Sequence, residues 1–397
     1  MPMRLSNDQR DWLILTLVPG IGSVHFIRLL ARYRTPTEVL RAGESELAEI
    51  AGPKLAQRIV QYAQAADVET QERLMEKFGA TLITMNDTAY PQRLAEIYDP
   101  PLVLFARGGL LDEDEHCVAI VGTRNATPYG FRTAERLGSE LAARGITVVS
   151  GMASGIDTAA HKGALAAGGR TIAVLGNGVD IVYPDHNREL MDRIIAQGCV
   201  LSQFPMGTKP SKGHFPYRNR IISGMTLGTV VVQAPIRSGA LITAQQAMEQ
   251  GREVFAVPGE VGVANSEGPH SLLREGAKLV ETVEDILVEL ILPAWIRVPS
   301  AAARIEAPAP SARGPEPVPV ARQAVHTQAQ PATPQAPVRP GSDIERNVLS
   351  VLTQSGSFVD EIASACRISV SEALTSLTML ELKGLVRQFS GKRFAPK

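Results

Sequence analysis

The chain has 397 residues, 44% hydrophobic and 20% charged, with 40 Lys+Arg against 41 Asp+Glu and a net charge of −1. That length predicts two or three domains, and the composition excludes disorder as a description of the whole chain. Bulk charge announces no nucleic-acid or membrane partner, so any basic surface must be local. Cys117, Cys199 and Cys366 are far apart and odd in number, which excludes a disulfide framework and a cysteine zinc site of usual spacing.

In the first twenty residues, WLILTLV is too short to span a bilayer and runs into Pro19-Gly20, so it reads as a helix end and not as a signal peptide. The expected class is a reduced, cytoplasmic, soluble protein without a membrane anchor. Val18-Pro19-Gly20-Ile21-Gly22 joins helical runs at 8–17 and 23–33, as in a helix-hairpin-helix, whose exposed amides can hold a phosphate. Ala51-Gly52-Pro53-Lys54, before a helical run at 55–65, is a poorer second copy. Residues 1–80 carry ten acids and ten bases, so a protein-contact or structural role suits this helical domain equally well.

From 81 to 292 short β-branched runs at 118–122, 146–151, 170–176, 199–203, 229–234 and 253–259 alternate with amphipathic stretches such as 131–143 and 241–250. Strands apolar on both faces, separated by helices, predict an α/β fold: a Rossmann-like, doubly wound parallel sheet. In such a sheet the loops after the strands gather on one edge. Here those loops are Gly122-Thr123-Arg124, Ser150-Gly151 leading to Ser154-Gly155-Ile156-Asp157, Gly176-Asn177-Gly178, Arg237-Ser238-Gly239 and Pro258-Gly259. One such glycine merely turns a strand-to-helix corner; several on one edge make a concave anion site suited to phosphate. No nicotinamide fingerprint, Walker A loop or nucleophile elbow occurs, so no cofactor is expected.

Between Arg193 and Met248 there is no acid. Within that span Lys212-Gly213-His214-Phe215-Pro216-Tyr217-Arg218-Asn219-Arg220 interleaves cations with aromatics. Cations track a phosphate backbone, and an aromatic face accepts a stacked base. The plainer reading makes Phe215 and Tyr217 core and the cations a solvated face; beside the glycine-rich edge, a nucleic-acid strand fits better. Asp157 and His161, four apart, are an acid/base pair on paper, but a helix cap and a locally packed histidine explain them more simply. No catalytic residue and no metal site is expected: the reading is binding and not an enzyme.

Residues 299–340 hold ten of the 27 prolines, which predicts an extended linker over 293–342. Beyond it, helical runs at 343–353, 359–366 and 370–383 and a β-ribbon at 385–394 describe a winged helix in 343–397. Its tail from Lys383 to Lys397 holds five bases and no acid, whereas the third helix carries Glu372 and Glu381.

The ordered motifs VAIVGTRNATPYG, SGMASGIDTAAHKGAL, LGNGVDIVYPDHN, KGHFPYRNRIISG and RSGALITAQQAMEQGREVFAVPG, led by YPQRLAEIYDPPLVLFARG, closely resemble the DprA/Smf family of DNA-processing proteins. The resemblance implies a Rossmann-like core that dimerises, binds single-stranded DNA and helps load the recombinase RecA during natural transformation, the state of competence. By motif, Gly122, Thr123 and Arg124 would hold a phosphate, with Arg124 the main cation. Lys212 would take another, Phe215 would stack on a base, and Ser238 and Gly239 would close the pocket. Arg218 and Arg220 fall in the same DNA-binding motif. Gln203 stands where the family usually has Glu. The competing reading is a phosphoribohydrolase-like nucleotide enzyme on the same core, whose PGGxGTxxE carboxylate has no counterpart before Glu249.

Overall fold

The computed structural model describes residues 5–293, 343–353, 357–366, 368–383, 385–389 and 393–396. The predicted linker lies outside the described residues from 294 onward. The described residues fall into two compact units, 5–293 and 343–396.

Six helices open the first unit: α1 Asn7–Leu17, α2 Ser23–Tyr33, α3 Pro36–Arg41, α4 Glu44–Ala51, α5 Pro53–Ala65 and α6 Val68–Phe78. Ser6 and Gln9 form a capping box that starts α1. The hairpin between α1 and α2 turns at Gly20, and that between α4 and α5 at Gly52, both with positive φ. The second hairpin read from the sequence therefore exists.

A nine-stranded sheet follows, with β1 Ala80–Thr84, β2 Val103–Gly108, β3 Cys117–Val121, β4 Thr147–Ser150, β5 Thr171–Val174, β6 Cys199–Ser202, β7 Gly228–Val231, β8 Glu253–Ala256 and β9 Lys278–Leu279. Their order is β1-β2-β6-β5-β4-β3-β7-β8-β9. From β6 to β9 all neighbours are parallel. The parallel sheet read from the sequence holds from β3 to β8, and at one edge β2, which that reading did not include, runs antiparallel to both β1 and β6. β2 follows β1 through a connection whose helix, Gln92–Ala95, is a single turn, too short for a crossover to a parallel neighbour.

The remaining helices are α7 Gln92–Ala95, α8 Pro128–Ala142, α9 Ile156–Ala166, α10 Arg188–Gln197, α11 His214–Gly224, α12 Gly239–Glu249, α13 Ala264–Arg274 and α14 Val283–Leu287. On one face Ile221, Ile222, Ala244 and Leu272 cover the sheet; on the other Leu137, Leu141, Ala160 and Ile286 do. A third core joins Trp12, Phe26 and Leu29 of the N-terminal helices to Phe105, Leu175 and Val200 of the sheet. Among the described residues no helix is long and apolar enough to cross a membrane.

The second unit contains α15 Asp343–Val351, β10 Ser357–Phe358, α16 Val359–Cys366, α17 Val370–Leu382, β11 Val386–Phe389 and β12 Arg393–Pro396. Its antiparallel sheet runs β10-β12-β11, and Val348, Ile362, Leu377 and Phe394 form its core. Three helices and a terminal ribbon are the predicted winged helix.

Candidate nucleic-acid interface

The chain leaves β3 toward β4 on one side and, later, leaves β7 toward β8 on the other. Loops part at such a switch point and leave a crevice beyond the strand ends. A cavity of about 310 Å³ lies there, lined by Gly122, Thr123 and Arg124 from the loop after β3, Ser238 from the β7–α12 loop, Gly239 at the start of α12, and Phe215 and Arg218 from α11. The structure thus gathers seven of the nine residues read from the sequence. A cleft of about 220 Å³ at the opposite edge is rimmed by Asp112, Asp114 and Glu115, a poor setting for a polyanion.

Packing accounts for several glycines. A Cβ on Gly122 would stand 2.8 Å from the Gln233 carbonyl oxygen, and one on Gly176 would stand 2.8 Å from the Phe215 ring. Gly155, at φ +83°, passes against the Thr123 and Arg124 carbonyls. Around Gly239, by contrast, there is open space. Ser238 caps α12 by accepting from the Leu241 amide, while the amides ahead of it have no partner inside the helix. The Thr123 amide is already spent on the Gln233 carbonyl at 2.7 Å, and the Thr123 hydroxyl accepts from the Asn125 amide.

Arg124 is exposed, and its guanidinium lies 5.2 Å from the centroid of the half-buried Phe215 ring. Tyr183, which the sequence reading missed, stacks with Phe215 at 5.7 Å and 25°. Lys212 is exposed one residue ahead of Gly213, which precedes α11, and does not line the cavity. Neither Arg124 nor Lys212 forms an ion pair among the described residues.

Arg218 reaches the cavity but is only 5% exposed. Its Nη1 donates to the carbonyls of Gly151, at 3.0 Å, and Val174, and its Nε to Asn219 Oδ1. Burial lowers its pKa to about 10, against the pull of Asp157. Asn219, also missed, donates to the Gly239 carbonyl at 3.1 Å and ties α11 to α12. Arg218 and Asn219 therefore form the floor of the cavity, where the sequence shows only a cation and an amide.

Arg220, also read from the sequence as a DNA contact, does not line this cavity. Its Nε pairs with Asp99 at 3.2 Å, its Nη2 donates to Gln203 Oε1 at 2.7 Å, and its guanidinium lies 4.2 Å from the Tyr217 ring. Asp157 and His161 do not pair either. Asp157 lies inside α9, not at its cap, and accepts from the Gly151 and Ala153 amides. Burial raises its pKa, opposed by Arg218. His161 is fully buried and bonds Thr171 Oγ1 at 2.7 Å.

The arrangement offers an exposed cation over an aromatic ring, a fixed buried cation, and the start of α12, whose first amides have no partner inside the helix. Comparison with known proteins shows what the chain is similar to. Residues 81–291 match the family model of DNA recombination-mediator protein A, residues 330–392 that of the DprA winged helix domain, and residues 13–65 that of the SAM-like helix-hairpin-helix tandem. The chain is 32% identical to Protein Smf of Synechocystis over 98% of its own length and 99% of that protein. It is 47% identical to DNA processing protein DprA of Bacillus subtilis over 53% of its length and 72% of that protein. The X-ray structure of DprA from Streptococcus pneumoniae superposes with a TM-score of 0.65 at 36% identity, covering 73% of this chain and all of that one. With its central domain, its flanking helical tandem and its winged helix all matched, the chain belongs to the DprA/Smf family of DNA-processing proteins.

Proposed function

We propose that the chain binds single-stranded DNA along the C-terminal edge of its sheet, without chemistry on the strand. As a cytoplasmic homodimer it passes that strand to the recombinase RecA during natural transformation. The observation that carries the binding reading is the Arg124 guanidinium set over the Phe215 ring at the rim of a cavity floored by Arg218. A phosphate draws Arg124 off the ring and a base takes its place on Phe215. Lys212 meets a further phosphate, and the start of α12 closes the pocket around the first. Duplex DNA presents no free base face to Phe215, which is why the site favours a single strand.

The test is fluorescence anisotropy of labelled single- and double-stranded oligonucleotides over a salt series. Arg124→Ala and Lys212→Ala each flatten the dependence of log affinity on log salt by about 0.7. Phe215→Ala weakens binding by about 1–3 kcal/mol with that slope nearly unchanged. Equal binding of both oligonucleotides, or variants indistinguishable from wild type, refutes the reading. Release of free base from nucleoside monophosphates would favour the hydrolase reading instead. Against that reading, Glu249 closes the far end of α12.

A further inference from the structure

Phe215 is one ring of a pair. Tyr183, 38% exposed, lies in the segment 175–187 between β5 and α10, and its ring stacks with that of Phe215 at 5.7 Å and 25°. The pair stands to one side of the crevice. A Cβ on Gly176, just past the end of β5, would stand 2.8 Å from the Phe215 ring, and β5 is two strands along the sheet from β3. The segment that presents Tyr183 is fixed on both sides of it. Buried Asn177 donates to the Ile181 carbonyl at 2.7 Å, and buried Asn187 donates to the Met152 carbonyl and the Thr158 hydroxyl, each at 2.9 Å. A tyrosine ring has only two side-chain torsions, so on a fixed segment it is ordered at little entropic cost when a flat partner stacks on it. The exposed side chains that follow, Asp185 and Arg188, are of opposite charge, so the segment offers a stacking face without a net cation for a phosphate.

At the end of β8 a cavity of about 600 Å³ presents another exposed aromatic residue, Tyr129. Its hydroxyl is held by the Pro258 carbonyl at 3.0 Å, and Glu260 lines the same cavity, a poor neighbour for a polyanion. We infer that Tyr183 is a second base-stacking residue: the strand leaves the crevice toward the end of β5, with one base on Phe215 and the next on Tyr183. This inference rests on the single-strand reading above and deepens it. The site then takes two consecutive bases and tolerates any sequence, because every base has a π-face.

The test is ultraviolet crosslinking of a 5-iodouracil-containing single-stranded oligonucleotide to the full-length protein, with the attached residues located by mass spectrometry. Beside it, Tyr183→Leu and Tyr183→Phe are compared with wild type by anisotropy over a salt series. Crosslinks are expected at both Phe215 and Tyr183. Tyr183→Leu keeps an apolar side chain beside Phe215 but has no π-face; its affinity falls by about fivefold to a hundredfold with the salt slope unchanged, while Tyr183→Phe binds as wild type does. A crosslink at Phe215 without one at Tyr183, or wild-type affinity in Tyr183→Leu, overturns this inference and spares the edge site. So does a crosslink at Tyr129 in place of Tyr183, which puts the strand on the β8 side. A salt slope flattened in Tyr183→Leu makes Tyr183 a support for the neighbouring cations and overturns the stacking role. Absence of a crosslink at either Phe215 or Tyr183 overturns the single-strand reading and this inference with it.

Discussion

Arg218 and Arg220 stand two positions apart on α11 and are both buried, yet their surroundings differ. Arg218 is held by two carbonyls and an amide, with no carboxylate in ion-pair range, so its charge is left for the cavity. Arg220 is matched by Asp99. His161 shows the cost of such a neighbourhood. Burial, and then the charge of Arg218, push its pKa down to about 3 from the usual 6.5. The folded chain therefore keeps His161 neutral while the unfolded chain takes up its proton below pH 6.5. The stability this neutrality contributes is complete above pH 6.5 and is lost progressively as pH falls toward 3. In His161→Asn that loss disappears, so the stability advantage of wild type over the variant narrows on acidification. Urea midpoints measured across that range check it; an advantage that widens toward acid would refute the assignment.

At the scale of elements, α8 and α9 approach so closely that Gly138 faces the Ala160 carbonyl and Gly163 the Glu135 carbonyl. A methyl at Gly163 would run into that oxygen. Gly163→Ala is expected to destabilise the first unit by about 1–3 kcal/mol, read from denaturant midpoints. The start of α9 hangs on the Thr123 carbonyl through the Ile156 amide, so the same variant disturbs the edge loop. An unchanged midpoint would show that the helices part at no cost. The alternation of β-branched runs and amphipathic stretches made β3 to β8 and their helices legible, because burial on both sheet faces imposes that pattern. β1 and β2 were not legible as strands: Val103–Gly108 follows directly on Pro100-Pro101, and pairing with a distant strand decides its role. The convergence of loops at the edge followed from strand direction alone. The fates of Arg218 and Arg220 did not, since their partners are backbone carbonyls and an aspartate from remote segments. Such pairings leave no local mark.

At the scale of the whole molecule, a net charge of −1 supplies no long-range attraction for DNA, so the binding proposed above rests on the few exposed cations at the sheet edge. The secondary structure changes character at Gly79, where α6 ends in a left-handed turn and β1 begins. The core does not divide there: Trp12, Phe26 and Leu29 share one cluster with Phe105, Leu175 and Val200. Residues 5–293 are accordingly expected to melt as one cooperative unit, and calorimetry of a chain ending before residue 343 should show a single peak. Two peaks would mean that the helices and the sheet fold independently. The shared core also governs how the chain is degraded. A protease aimed at the junction of residues 79 and 80 meets no locally opening hinge. It must wait for the whole unit to open, so the rate of cleavage there reports the global stability of the DNA-processing core.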